Sequence, residues 1–445
     1  MIYFTNTMTG KKELFVKNSG PVTLYVCGIT PYSAAHIGHG RCYISFDLLY
    51  RLLHFLGYTV LYCRNITDID DKLLNKAQQE FNDRMRYQEL ATQFFSQFKQ
   101  SLLQLGCLNP TYEPRVTDHI PEIITFITKL IESGHAYQAD GDVYFSIQSW
   151  PSYGKLSGQK VDELRAGTRF AVRSEKKDPL DFVLWKGEQT DTFWQSPWGN
   201  GRPGWHIECS ALAARFLGEH IDVHAGGLDL IFPHHENEVA QSEALFGIPF
   251  ARYWLHNGLV TVNNEKMSKS LGNFIELDTL LQEYDPMVIR YYFLTYHYKS
   301  PAEFNAQGLQ AARKTYERLI NLFTNTQPHL VAPNTMQEQH PIVYAMHTML
   351  CDDLNVPGML GVLFEHWQEL TSNEHERGAV LYYVQQVLGL SCQPLEKAEI
   401  QISPEIAALL EQRDQARRNK DWQKSDELRE QLRQLGFEVK DHKVK

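Results

Sequence analysis

Residues 22–30 (VTLYVCGIT) are rich in strand formers and break at Gly28, while residues 38–55 carry apolar side chains at helical spacing. The spacing predicts a strand, a loop and a helix in succession. A further apolar run at residues 58–63 predicts the next strand, and the resulting β-α-β order is that of a parallel sheet flanked by helices. Such sheets take their ligands beyond the carboxyl ends of the strands. Helical periodicity runs from about 72 to 105 and again from 121 to 133. Residues 135–205 change character, with the turn Ala139-Asp140-Gly141-Asp142 and the stretch SPWGNGRPGW, and read as an insertion. Strand signals return at 221–224 and 253–262. From about Asp278 onward the pattern is one of successive amphipathic helices, interrupted at 324–341 by a loop with three prolines. The expected fold is α/β: a Rossmann-like parallel-sheet domain with an insertion, followed by α-helical C-terminal domains.

At 445 residues, with 43% hydrophobic and 22% charged content, the chain is too long for one compact unit, and two to four domains are expected. The start shows no basic segment followed by an apolar run, and no stretch has the length of a membrane span, so a cytoplasmic protein without a membrane partner is expected. The seven cysteines lack the tight spacing of a disulfide framework, which predicts mostly reduced thiols, with Cys42, Cys63 and Cys107 acting as small buried hydrophobes. A net charge of -10 argues against a nucleic-acid partner when taken alone. Its distribution weakens that objection, because residues 411–445 hold ten Lys/Arg against eight Asp/Glu.

Candidate chemistry gathers at three places. His36-Ile37-Gly38-His39 stands where the first predicted helix begins, and a helix N-terminus offers amide donors and a positive dipole end to a polyphosphate. Lys266-Met267-Ser268-Lys269-Ser270 follows a polar loop, and two lysines three apart can meet phosphates that gain charge as pyrophosphate leaves. His234 and Glu238, at i and i+4, project from one helical face and make half of a zinc site. Each has a plain alternative: a surface histidine pair near a cap, a solvated lysine loop, and an acidic first helical turn favoured by the dipole.

Taken together, the HIGH and KMSKS sequences resemble the two signatures of class I aminoacyl-tRNA synthetases. The chain further resembles the cysteinyl-tRNA synthetase family from about residue 4 to 441, with DFVLWK and SPWGNGRPGWHIECS especially close. The resemblance implies that His36 and His39 hold ATP phosphates, that Lys266 and Lys269 close over the departing pyrophosphate, and that Asp229 sits near the adenosine ribose. It assigns Cys27, Cys209, His234 and Glu238 to one zinc ion per subunit, a soft-leaning ligand set that favours a thiol over a hydroxyl. Gly28, Thr67, Trp205 and His224 are implied to line the cysteine pocket. ATP with magnesium, cysteine and tRNA(Cys) are the implied substrates of a monomer. The domains follow as 1–277 for catalysis, with a connective insertion at about 112–203, then 278–390 as a helical stem-contact and bundle region, and 391–445 as an anticodon-binding module.

In that last module the Lys/Arg side chains, among them Arg413, Arg417, Arg418 and Lys420, are read as RNA backbone contacts and Trp422 as structural or stacking. Two rivals differ in kind. A ligase that passes cysteinyl adenylate to a small amino sugar would lack the terminal tRNA-binding module, and an inactive paralogue would not need the complete set of motif residues.

Overall fold

The computed structural model describes residues 1–161, 163, 176–262, 265–267, 274–395, 408–409, 411–413, 415–416, 419 and 421–434. The chain divides into two compact units, Met1–Pro394 and Leu395–Lys445.

The centre of the first unit is a four-stranded sheet in the order Ala251–Asn257, Ile221–Gly227, Val22–Ile29, Val60–Ile66, with all three pairings parallel. Bridges from Cys63 to Tyr112 and from Ile66 to Arg115 continue it by one more parallel segment. Strand Val22–Ile29 is buried along almost its whole length because helices cover both faces, as a parallel sheet requires. Its neighbours lie on opposite sides in space while the chain leaves it through helix Ile37–Phe55. The strand order therefore switches direction at this point, and a crevice opens at the carboxyl ends.

Helix Ile37–Phe55 is buried around much of its circumference, as befits an element between the sheet and the helical half. Its buried Asp47 pairs with the fully buried Arg290 of helix Pro286–Leu294. Arg290 also donates to the Leu105 carbonyl at 3.0 Å and to the Leu388 carbonyl at 2.6 Å. One guanidinium thus ties the first helix, the end of helix Tyr87–Gln104 and the last turn of the helical region.

The region expected as an insertion carries a five-stranded antiparallel sheet, ordered Ala136–Ala139, Asp142–Phe145, Phe182–Gly187, Gly199–Pro203, Trp194–Ser196. Gly201 is needed there by close approach, since a Cβ would stand 2.2 Å from the Lys186 carbonyl oxygen. The helical half follows as Leu277–Glu283, Pro286–Leu294, Ala306–Phe323, Pro341–Leu350, Val356–Glu365 and Glu374–Tyr383. The proline-bearing loop before Pro341 contains one short helix, Met336–Gln339, which its sparse apolar residues did not announce. In the second unit helix Trp422–Gln434 is described. Arg417, Arg418 and Lys420 lie outside the described residues. Among the described residues no helix is long and apolar enough to cross a membrane.

Candidate functional site

The carboxyl ends of the parallel strands and the start of helix Ile37–Phe55 enclose a cavity of about 460 Å³. His36 is the N-cap of that helix: its Nδ1 accepts from the Gly38 amide at 3.1 Å, and His39 Nδ1 accepts from the His36 amide at 3.2 Å. A backbone N–H can only donate, so each Nδ1 is an acceptor and the proton of a neutral ring must sit on Nε2. The rings stack with centroids 3.8 Å apart. Burial, and then the neighbouring His36, hold His39 well below the usual histidine range. The cap therefore presents neutral imidazole N–H donors beside the helix dipole and the cavity.

Cys27, on the central strand, and Cys209, one turn into helix Trp205–Leu217, meet His234 and Glu238 with one ligand atom from each lying within 4.8 Å of the others. All four are buried. Glu238 Oε1 stands 3.1 Å from His234 Nε2, while its other oxygen meets His224 Nε2 at 2.8 Å. The hydrogen bond from Cys27, aided by His234 against burial, brings the Cys209 thiol down to about 6, whereas burial and its bond to Cys209 push Cys27 well up. Burial would raise the Glu238 carboxyl, but His224 and His234 hold it at about 2. Burial would lower His234, but Glu238 and Cys209 lift it to about 10. Two thiols, an imidazole and a carboxylate at this spacing fit a tetrahedral zinc ion. A second group, Cys27, His224, His235 and Glu238, is also close enough to hold an ion but has only one sulfur.

Gly28, Thr67 and Trp205 line the cavity. Trp205 is 39% exposed, and its ring lies 4.3 Å from that of His234. His224 is fully buried and lies behind Glu238, against Trp254. It touches Glu238 and is not part of the cavity wall. Asp229 lines the cavity from the short turn Leu228–Leu230, and Ala225 is fully buried within its strand. Lys266 lies in strand Glu265–Lys266, and Met267 reaches the cavity wall. The Lys266 side chain and all of Ser268, Lys269 and Ser270 lie outside the described residues.

Sequence reasoning missed Asn65, which is buried on the cavity wall. Its Oδ1 accepts from the Gly28 amide at 2.9 Å and lies 3.7 Å from Cys209 Sγ, and its Nδ2 donates to Thr67 Oγ1 at 3.1 Å. Thr67 in turn donates to Glu208 Oε2 at 2.9 Å. The available signal was one amide residue near the carboxyl end of an otherwise apolar strand, next to Arg64. Missed as well was the run Cys27 Sγ, His235, His256 and Thr7, joined by contacts of 3.2, 2.7 and 2.8 Å. Those residues are too far apart in the chain for spacing to connect them.

The crevice thus lies at the switch point of a parallel sheet, with histidines capping the first helix. The family profile described as "tRNA synthetases class I (C) catalytic domain" matches residues 14–314, and that of the "Cysteinyl-tRNA ligase anticodon binding domain" matches residues 401–445. The cysteine-tRNA ligase of Trichlorobacter lovleyi is 43% identical, with 96% of this chain and 95% of that protein covered. The cysteine-tRNA ligase of Actinobacillus pleuropneumoniae is 43% identical, with 99% and 98% covered. Among solved structures, Mycobacterium tuberculosis methionyl-tRNA synthetase with methionyl-adenylate superposes with a TM-score of 0.60 at 14% identity, covering 85% of this chain and 92% of that one, a likeness of fold. The chain belongs to the cysteine-tRNA ligase family. It is an enzyme that activates cysteine with ATP and joins it to tRNA.

Proposed function

We propose that discrimination of cysteine from serine in this chain rests on zinc held by Cys27, Cys209, His234 and Glu238, one ion per subunit. Zinc supplies a borderline-soft Lewis acid that favours a thiolate over a hydroxyl. The observation that supports this reading most is the convergence of those four buried donors beside the cavity capped by His36 and His39. His224 positions Glu238 by occupying its second oxygen, which leaves Oε1 directed at His234. Gly28 and Thr67 receive the amino acid, and Trp205 closes over it beside His234.

The cysteine carboxylate attacks the α-phosphate of ATP, which arrives with magnesium, and the bond to pyrophosphate breaks. His36 and His39 donate to the phosphates, Asp229 accepts from the ribose, and Lys266 and Lys269 neutralise the charge on the leaving group. Their contribution is position and electrostatics fixed before the reaction. The terminal ribose of tRNA(Cys) then attacks the adenylate carbonyl and AMP departs. Residues 1–277, with the insertion at about 112–203, carry this chemistry. Residues 278–390 bear on the tRNA stem and 391–445 on the anticodon, in a monomer that works in the cytoplasm.

The test joins metal analysis to charging. Purified protein should hold close to one zinc per chain and transfer labelled cysteine, but not serine, to tRNA. A metal-free preparation that still preferred cysteine would refute the assignment.

A further inference from the structure

The cavity has to bring two anions together, the carboxylate of cysteine and the polyphosphate of ATP, and like charges at close range repel unless a cation stands beside them. Among the described residues of its wall, Lys72 is the one lysine or arginine. Asp229 adds a negative charge, His39 is kept neutral by burial, and His234 is committed to the metal in the proposed function. Lys72 stands in the first turn of helix Asp71–Phe81, where its amide donates to the N-cap side chain of Asp70 at 2.8 Å. Its side chain is exposed, with Nζ 5.1 Å from the ring centroid of Tyr32, another residue of the wall. Among the described residues no carboxylate pairs with Lys72.

Neither the helix nor an ion pair accounts for a cation at this position. A lysine in the first turn opposes the positive end of the helix dipole, where carboxylates are the stabilising choice. The adjacent Asp71 fills that role and is itself held by Lys186 and Arg202 of the antiparallel sheet, which fixes the start of the helix against the insertion. Lys72 is thus carried on an anchored turn and left with its charge unanswered beside the cavity. The phosphates of ATP already have His36, His39 and the start of helix Ile37–Phe55, with Lys266 and Lys269 for the leaving group. The cysteine carboxylate has no counter-charge in that scheme. Lys72 follows Thr67 closely in the chain and shares the wall with Gly28 and Thr67, the two residues read as receiving the amino acid.

We propose that Lys72 binds the carboxylate of cysteine and holds it for attack on ATP. The proposal rests on the reading that Gly28, Thr67 and the metal receive the amino acid, and it adds the group that answers the substrate's charge. As a carboxylate oxygen bonds to the α-phosphorus and the bond to pyrophosphate breaks, the carboxylate loses its charge to the new anhydride. The contact is therefore strongest before the reaction, and its removal should appear in the KM for cysteine far more than in kcat.

The experiment measures cysteine-dependent ATP-pyrophosphate exchange in wild type, Lys72→Met and Lys72→Arg, with cysteinamide, which keeps the thiol and amine but has no carboxylate, as competitive inhibitor. Lys72 is exposed and its side chain bears only the ring contact, so the fold should tolerate both changes. Lys72→Met should raise the KM for cysteine roughly tenfold and leave the KM for ATP and the bound zinc as in wild type. Inhibition by cysteinamide should be unchanged, so the preference for cysteine over its amide should shrink by the same factor of about ten. Lys72→Arg should restore most of that preference, because the charge remains. A wild-type cysteine KM in Lys72→Met would overturn the proposal. So would a KM for ATP that rose in its place, or equal weakening of cysteine and cysteinamide. The zinc reading is scored separately: wild-type protein that failed to prefer cysteine over serine would count against the metal's role, while the cysteine-to-amide comparison would still decide that of Lys72.

Discussion

Asn65 Oδ1 accepts the Gly28 amide hydrogen at 2.9 Å, so the carboxyl ends of two neighbouring strands are pinned to each other by a side chain on the cavity wall. The approach is tight, because a Cβ at residue 28 would stand 1.5 Å from the Asn65 carbonyl oxygen. Asn65→Ala should release both Gly28 and Thr67. The KM for cysteine in pyrophosphate exchange should rise about tenfold, the cost of one buried bond left unmade, with the KM for ATP unchanged. Asn65→Asp keeps the acceptor for Gly28 but not the donor to Thr67, and should fall between the two. Equal cysteine KM values in all three proteins would show that the wall does not depend on this residue.

Cys209→Ser removes one of two sulfur donors from a buried set. Bound zinc measured by elemental analysis and cysteine activation should be lost together, each by at least about tenfold. A variant that kept both would remove Cys209 from the ligand set.

His36 caps its helix and, in the proposed mechanism, also donates to phosphate, two roles that can be separated. His36→Ala should lose about 1 kcal/mol of stability together with exchange activity, whereas His36→Asn restores a good N-cap and should lose activity alone. Denaturant midpoints beside exchange rates separate the two. Parallel loss of stability in both variants would contradict the capping role.

His347 is buried in the helical half, 2.9 Å from the Tyr383 hydroxyl, and burial lowers it to about 4. Its folded value lies below its unfolded value near 6.5, so the unfolded chain binds the extra proton between them. The stability this group contributes is whole above about pH 6.5 and is lost as pH falls towards 4, by up to about 3 kcal/mol. Thermal melts at pH 7.5 and 5 should show a smaller acid-induced drop in His347→Gln than in wild type. An identical drop would assign the acid sensitivity to other groups.

What the chain pattern made legible follows from local periodicity. The strand expected at 22–30 is Val22–Ile29, and the helix expected from 38 to 55 is Ile37–Phe55, since both elements are specified by runs of apolar residues. The strand expected at 58–63 ends further on, at Ile66, because Arg64 and Asn65 are polar yet buried, where Arg64 pairs with Glu113 and Asn65 with Gly28. Burial of that kind depends on partners tens of residues away and leaves no periodic trace. The placing of His224 behind Glu238 was hidden for the same reason, while the Cys27 and Cys209 assignments came from resemblance and not from spacing. What brings those two together is the packing of helix Trp205–Leu217 against strand Val22–Ile29, a contact between segments far apart in the chain.

Arg290 carries a consequence for how the molecule can be divided. Its guanidinium answers the Asp47 carboxylate from a helix that begins at Pro286, and its other donors close the carbonyl ends at Leu105 and Leu388. A fragment cut near residue 277 would leave Asp47 with Arg51 and the Leu108 amide but without the buried Arg290, and would bare the flank of the helix that His36 caps. The nucleotide-handling half is therefore not a detachable part. Its packing is completed by a residue from the half that follows, so the two are expected to melt together.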